Sequence, residues 1–343
     1  MVDFQQFTRR TLVSGMAAGL AMPHVARAQA ADAVKLSLEF RIYGGNAPSF
    51  LAIENGIYKK LGLDVTPEGS SGSGESVTRV AAGTHPFGLA DASALVEFAA
   101  RNPSASPKLV MPIFDVFPAV ILSIKKKITS LKDLAGLKLG TGTADAGVKI
   151  FPALLSLNKI DPASFQRVTV DVKLRDTMLL TGAVDAVIAF DYTAIFNLID
   201  NGVKMEDINL LYFSQMGFDF FGNSLIVNRD YAEKNPDIVR RMAIAVAQSW
   251  VAASNDRDAA IAAVMKREKL LTPKTELARM SWVIDKLIRT ENVRKNGLGD
   301  IDDARVERAV RLIQEGFQLP TAPSVAQFID KRFIPPAADR KIG

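Results

Sequence analysis

The feature that most restricts this fold is a repeated alternation of short apolar strands, turns and helices. Val34, Leu36, Leu38, Phe40 and Ile42 alternate as a strand does, and the chain then turns at Tyr43-Gly44-Gly45-Asn46-Ala47-Pro48. A helix follows over 49–56, with Pro48 where a first helical turn tolerates it. A second unit runs from a strand at 63–65 through Gly69-Ser70-Ser71-Gly72-Ser73-Gly74 into a helix ending at Ala82-Gly83. In the third, 87–90 is a buried strand and Asp91-Ala92-Ser93 caps a helix to Arg101. This order predicts an α/β fold with mainly parallel sheets, and it puts three successive loops at strand carboxyl ends, where open α/β sheets take ligands.

A strand over 119–124 opens what reads as a second copy. A strand at 137–140 leads to Thr141-Gly142-Thr143-Ala144-Asp145-Ala146-Gly147 and a helix to Asn158; a strand at 168–172 leads to a helix beginning near Arg175. A strand at 185–190 ends in Asp191-Tyr192, and another over 224–228 brings the chain back. The stretch 236–317 reads as helices with apolar positions three and four apart and no chemistry of their own. Two crossings are expected, giving a discontinuous first lobe (31–118 and 219–343), a second lobe (119–218) and a two-strand hinge. Roughly 310 residues beyond the first thirty also exceed what one core usually serves.

Residues 1–30 read as a cleaved export signal. Thr8-Arg9-Arg10-Thr11-Leu12 precedes a weakly apolar, uncharged run to Met22, then Ala26-Arg27-Ala28 or Ala28-Gln29-Ala30 as small-x-small cleavage options. The run is too short to span a bilayer. The paired Arg predicts a twin-arginine route and a soluble periplasmic product. The chain holds no Cys, so no lipid-bearing thiol, disulfide or thiolate chemistry is expected. The segment 1–30 carries three Arg and one Asp, so its removal takes the net charge from +5 to +3. Basic residues are scattered and do not interleave with aromatics, which argues against a nucleic-acid surface, and Lys125-Lys126-Lys127 reads as a solvated turn.

Glu54-Asn55-Gly56-Ile57-Tyr58-Lys59-Lys60-Leu61-Gly62-Leu63-Asp64-Val65 resembles the Gly-Phe/Tyr-x-x-x-Gly-Leu-Asp/Glu-Val hallmark of the nitrate, sulfonate, taurine and thiamine-pyrimidine substrate-binding proteins of ABC importers. Ala82-Gly83-Thr84-His85-Pro86-Phe87-Gly88, Ser130-Leu131-Lys132-Asp133-Leu134, Gly182-Ala183-Val184-Asp185-Ala186 and Tyr231-Ala232-Glu233-Lys234-Asn235-Pro236 fit in order, though His85-Pro86 replaces an acidic residue. The resemblance implies a type II periplasmic binding fold: a monomer without cofactor that closes over a small organic ligand and delivers it to an inner-membrane ABC permease. A solute sensor facing a receptor is the alternative role. A pyrimidine-synthase-like enzyme is disfavoured, since beyond the signal only His85 remains, and it is expected in a surface turn.

The expected ligand-binding residues are Tyr43, Gly44 and Asn46 after the first strand, Ser71, Gly72 and Ser73 in the glycine-rich loop, and Asp91 and Ser93. From the second lobe they are Thr141, Thr143, Ala144, Asp145, Arg175, Asp191 and Tyr192. Gly72-Ser73 and 141–145 offer helix N-termini suited to an anion, for which Arg41, Lys149 and Arg175 are candidate basic partners. Asp91, Asp145, Asp191 and Asp219 compete for the same space. Capping explains Asp91 and Asp145 more simply than ligand contact does, but two of these acids in the cleft would call for a ligand with N–H donors or an ammonium. Tyr43, Tyr192, Phe218, Phe220 and Phe221 can stack on a ring, with core packing expected for at least two of them.

Overall fold

The computed structural model describes residues 30–142, 146–171 and 174–342. The export-signal reading therefore falls, Ala30 apart, outside the described residues, as do Thr143, Ala144 and Asp145.

Ten strands form two five-stranded sheets. They are β1 (Asp32–Ser37), β2 (Leu63–Glu68), β3 (Phe87–Asp91), β4 (Lys108–Pro112), β5 (Ala119–Ser123), β6 (Lys138–Gly142), β7 (Gln166–Val170), β8 (Ala186–Phe190), β9 (Asn209–Tyr212) and β10 (Asn223–Val227). The first sheet is ordered β2-β1-β3-β10-β4 and the second β7-β6-β8-β5-β9. Each holds one reversed strand, β10 or β5, and in each it is the strand entered after a crossing from the other sheet. The second sheet repeats the first in wiring, so the α/β, mainly parallel expectation holds. Sequence reading missed β4 and β9.

Burial follows the chain's apolar pattern. The central strands β3, β5 and β10 are buried throughout, as sheets covered by helices on both faces require. Gly88 of β3 is needed there: a Cβ would lie 2.7 Å from the Ser76 hydroxyl and 2.8 Å from Val80 on the overlying Ser73–Ala81 helix.

The chain passes between sheets at 113–118 and 213–222. Residues 31–343 form one compact unit. The helix Pro236–Asn255 packs its apolar face into the core of the first sheet, whereas Asp303–Gly316 packs against both Ala92–Arg101 and Ala146–Leu157. The C-terminal helices thus reach the second sheet as well, beyond the single lobe expected for 219–343. Phe117, Phe218, Phe220 and Phe221 are buried together beside the second crossing, with Phe117 and Phe218 in edge contact at 4.8 Å. That settles the core-packing fate of the three candidate stacking Phe residues. Lys125-Lys126-Lys127 is an exposed bend.

Candidate functional site

β1 does not continue to Ile42. It ends at Ser37: Leu38 N–H makes the last bond to β2, on the Glu68 carbonyl at 2.8 Å, and Phe40 then turns its carbonyl to Ser70 N–H at 3.1 Å. The bend brings Glu39 inward, where it is 4% exposed. Its Oε1 accepts from the Tyr43 hydroxyl at 3.0 Å and more loosely from Asn46 Nδ2 at 3.4 Å, while Asn46 Nδ2 also donates to the Arg41 carbonyl at 3.0 Å. Oε2 has no protein partner. Burial raises the Glu39 pKa, and the hydrogen bonds only partly oppose it.

Asp91 ends β3 and caps the next helix, its Oδ1 accepting from Ser93 N–H at 2.9 Å and Ser93 Oγ at 2.5 Å. Its other oxygen is unpartnered, and burial pushes its pKa up to about 7 against those bonds. Asn223 stands opposite Asp91 in the β3–β10 register, buried, with neither amide atom hydrogen-bonded. Its amide adjoins Glu39 and weakly favours that carboxylate without reaching hydrogen-bond geometry. Ser73 Oγ accepts from Asp91 N–H at 3.0 Å. Ser71 is exposed and turns its N–H and hydroxyl to Glu75 at 2.7 and 2.5 Å, so this helix terminus meets the chain's own carboxylate. Gly72 N–H bonds Ser70 Oγ at 3.2 Å.

From the second sheet, Asp191 and Tyr192 open the helix after β8. Asp191 is buried and saturated: Oδ1 accepts from Tyr192 N–H at 2.6 Å, and Oδ2 from Tyr212 Oη at 2.9 Å and Trp282 Nε1 at 2.8 Å. Burial nevertheless lifts its pKa to about 6. The Tyr192 ring stacks on Tyr43 at 6.2 Å and 18°, joining residues from the two sheets, with Phe114 edge-on at 5.6 Å. Thr141 is the last residue but one of β6 and is 7% exposed. Arg175 is buried, with Nε on Asp176 at 3.1 Å.

The helix Pro273–Trp282 overturns the expectation that 236–317 brings no polar chemistry. Glu276 Oε2 accepts from Gly44 N–H at 2.6 Å and from Arg279 Nε at 3.0 Å. Arg279 Nη1 in turn donates to the Tyr192 carbonyl at 2.6 Å, and its guanidinium lies 5.7 Å from the Tyr43 ring. One buried ion pair thus holds the turn after β1 and the helix after β8 together. Glu39 and Asn223 escaped sequence reading too. A lone acid inside the apolar run 34–42 was the available signal for the first, and opposite charges three apart, Glu276 and Arg279, for the clasp.

Other expectations need correcting. His85 is not at the surface: it is 6% exposed, between Thr84 Oγ1 at 3.1 Å and Glu68 Oε2 at 3.0 Å. Asp219 lies on the second crossing, where Arg305 holds it at 2.8 Å while also binding Asp115 Oδ1 at 2.8 Å on the first crossing. Of the basic candidates, Lys149 pairs with Glu97 at 2.7 Å and Arg41 is exposed.

The fold is similar to that of known proteins. The structure aligns with the periplasmic aliphatic sulphonate binding protein SsuA from Escherichia coli at TM-score 0.69 and 15% identity, covering 87% of this chain and 92% of that one. The alkanesulfonate-binding protein SsuA from Xanthomonas axonopodis pv. citri, bound to MOPS, aligns at 0.64 and 14%, covering 87% and 98%. A mutant of the desulfurization enzyme DSZB, in complex with biphenyl-2-sulfinic acid, aligns at 0.59 and 13%, covering 88% and 97%. These likenesses show the fold, that of the periplasmic binding proteins. No curated protein sequence matches. The NMT1/THI5-like profile matches residues 45–260, more than half of the chain, and the chain belongs to that family.

Proposed function

We propose that this protein is the solute-binding component of an ABC importer, exported to the periplasm by residues 1–30 and acting as a monomer without cofactor. It takes a small organic molecule between the carboxyl edges of its two sheets and presents it to the permease. The observation that carries this reading is the meeting of Tyr43 with Tyr192, which brings the turn after β1 against the start of the helix after β8, at the end of the sheets where such folds bind ligands. Tyr43, Asn46, Asp91, Ser93 and Tyr192 supply the walls. Gly44 positions the first loop through Glu276, and Thr141 and Arg175 belong to the second lobe's share. Binding rather than catalysis fits a chain with no Cys and a His85 fixed between Thr84 and Glu68.

The reading is tested by a thermal-shift screen of the purified protein against sulfonates, nitrate, pyrimidines, flavins and aromatic carboxylates. At 100 times its Kd a true ligand stabilises by about 2.7 kcal/mol, or about 4 °C in a chain this long. X-ray scattering of the complex then shows a smaller radius of gyration. A tight ligand that leaves the radius unchanged refutes closure between lobes.

A further inference from the structure

The buried polar atoms without a protein partner are not spread evenly. Among the described residues there are eight such side-chain atoms, and five of them sit at one sheet edge: Ser37 Oγ, Glu39 Oε2, Asp91 Oδ2 and both amide atoms of Asn223. Ser37 ends β1, Glu39 follows it, Asp91 ends β3 and Asn223 starts the neighbouring β10. Native interiors satisfy nearly all such groups, so a cluster of exceptions at a ligand-binding edge marks where a ligand's polar end goes.

The sign of the cluster follows from its atoms. With the two carboxyls ionised, as a cationic partner would make them, Glu39 Oε2, Asp91 Oδ2 and Asn223 Oδ1 are acceptors, against the Asn223 amide nitrogen and one hydroxyl. Among the described residues no Lys or Arg pairs with Glu39 or Asp91. Arg279 is engaged by Glu276 and the Tyr192 carbonyl, and Arg175 by Asp176. An anion brought here would face two buried carboxyl groups with no cation between them, whereas N–H donors would meet unpaired acceptors. Tyr43, bonded to Glu39, and Tyr192 stacked on it, give the same place an aromatic wall. Resting on the interlobe-binding reading above, we infer that the buried end of the ligand is a nitrogen donor group, an ammonium, amidinium or amino-substituted ring, held by Glu39, Asp91 and Asn223. The sulfonate end that the SsuA neighbours' names suggest would find no such partner here.

Three probes of matched shape and opposite charge separate the cases: benzamidinium, benzoate and benzenesulfonate, each at 20 mM with the purified protein. For a fragment Kd near 1 mM, benzamidinium raises Tm by about 2 to 3 °C while the two anions do nothing. Glu39→Gln and, separately, Asp91→Asn weaken benzamidinium binding about tenfold or more, and either folded variant suffices. Stabilisation by an anion overturns the nitrogen-donor inference yet leaves interlobe binding standing. A benzamidinium shift undiminished in a folded variant also overturns it, by placing the group elsewhere. Silence from all three probes overturns this inference alone if the wider screen finds a ligand that contracts the protein, and both readings if it does not.

Discussion

Asp91→Asn should flatten the pH dependence of stability. The carboxyl of Asp91 is 2% exposed, and its folded pKa is about 7 against an ordinary 3.8. The folded state therefore holds the proton more tightly than the unfolded chain does. Its contribution to stability is complete below about pH 4 and is lost as pH rises through 7. Between pH 5 and pH 8 the proton linkage of this one group removes roughly 2 to 3 kcal/mol. With an unfolding entropy of about 2 cal/mol/K per residue, that is about 3 to 5 °C in Tm. Asn keeps an oxygen for Ser93 N–H and Oγ, so the helix cap survives while the titration vanishes.

The assay is a pair of Tm profiles from pH 5 to 8, wild type and variant, in buffers of equal ionic strength. Asp191, with its pKa raised to about 6, and Glu39, also raised, lower stability over the same range in both proteins, so the difference between the profiles isolates Asp91. Wild type falls more steeply by the amount given. Parallel profiles would mean that Asp91 is ionised in the folded protein throughout, and would refute the claim that its second oxygen lacks a partner.

Arg305→Ala should cost about 3 kcal/mol or more, read as a lower Tm, because it strips a guanidinium from Asp115, 9% exposed, and unties the two crossings from each other. Arg279→Met leaves Glu276 buried without its cation and removes the bond to the Tyr192 carbonyl; ligand-free scattering should report a larger radius of gyration than wild type, and an unchanged radius would deny the clasp. Replacing Arg9 and Arg10 by Lys should hold the precursor in the cytoplasm if export is by the twin-arginine route, whereas undiminished periplasmic yield would show a general secretory signal.

What the sequence made legible was local. Asp91 could be placed because a strand of four apolar residues ends beside a cap residue, and Asp191-Tyr192 by the same logic in the second copy. What stayed hidden depended on departures from periodicity or on contacts far along the chain. Glu39 was lost because Val34 to Ile42 reads as one alternating strand, which would turn Glu39 to the face opposite Leu38; the alternation breaks after Leu38, where Phe40 turns its carbonyl to Ser70 beyond β2. Asn223 is one residue ahead of an apolar run and gains meaning only from its register partner Asp91, 132 positions earlier. Glu276 and Arg279 satisfy helical spacing as any solvated pair would; their burial comes from the turn at Gly44 and the carbonyl of Tyr192, which no window around them contains. Asn223, Glu276 and Arg279 join parts of the chain that lie far apart in sequence. On the two-lobe reading proposed above they bear most directly on function, since a contact within one lobe would be made equally in open and closed forms and could not bias a hinge, while the Arg279–Tyr192 carbonyl bond and the Tyr43–Tyr192 stack join the two sheets' loops and helices. On the same proposal, a ligand that bonds Glu39 and Asp91 on one side and Tyr192 on the other would add to that set of contacts, and the closure it drove would be limited to its preference for the closed form.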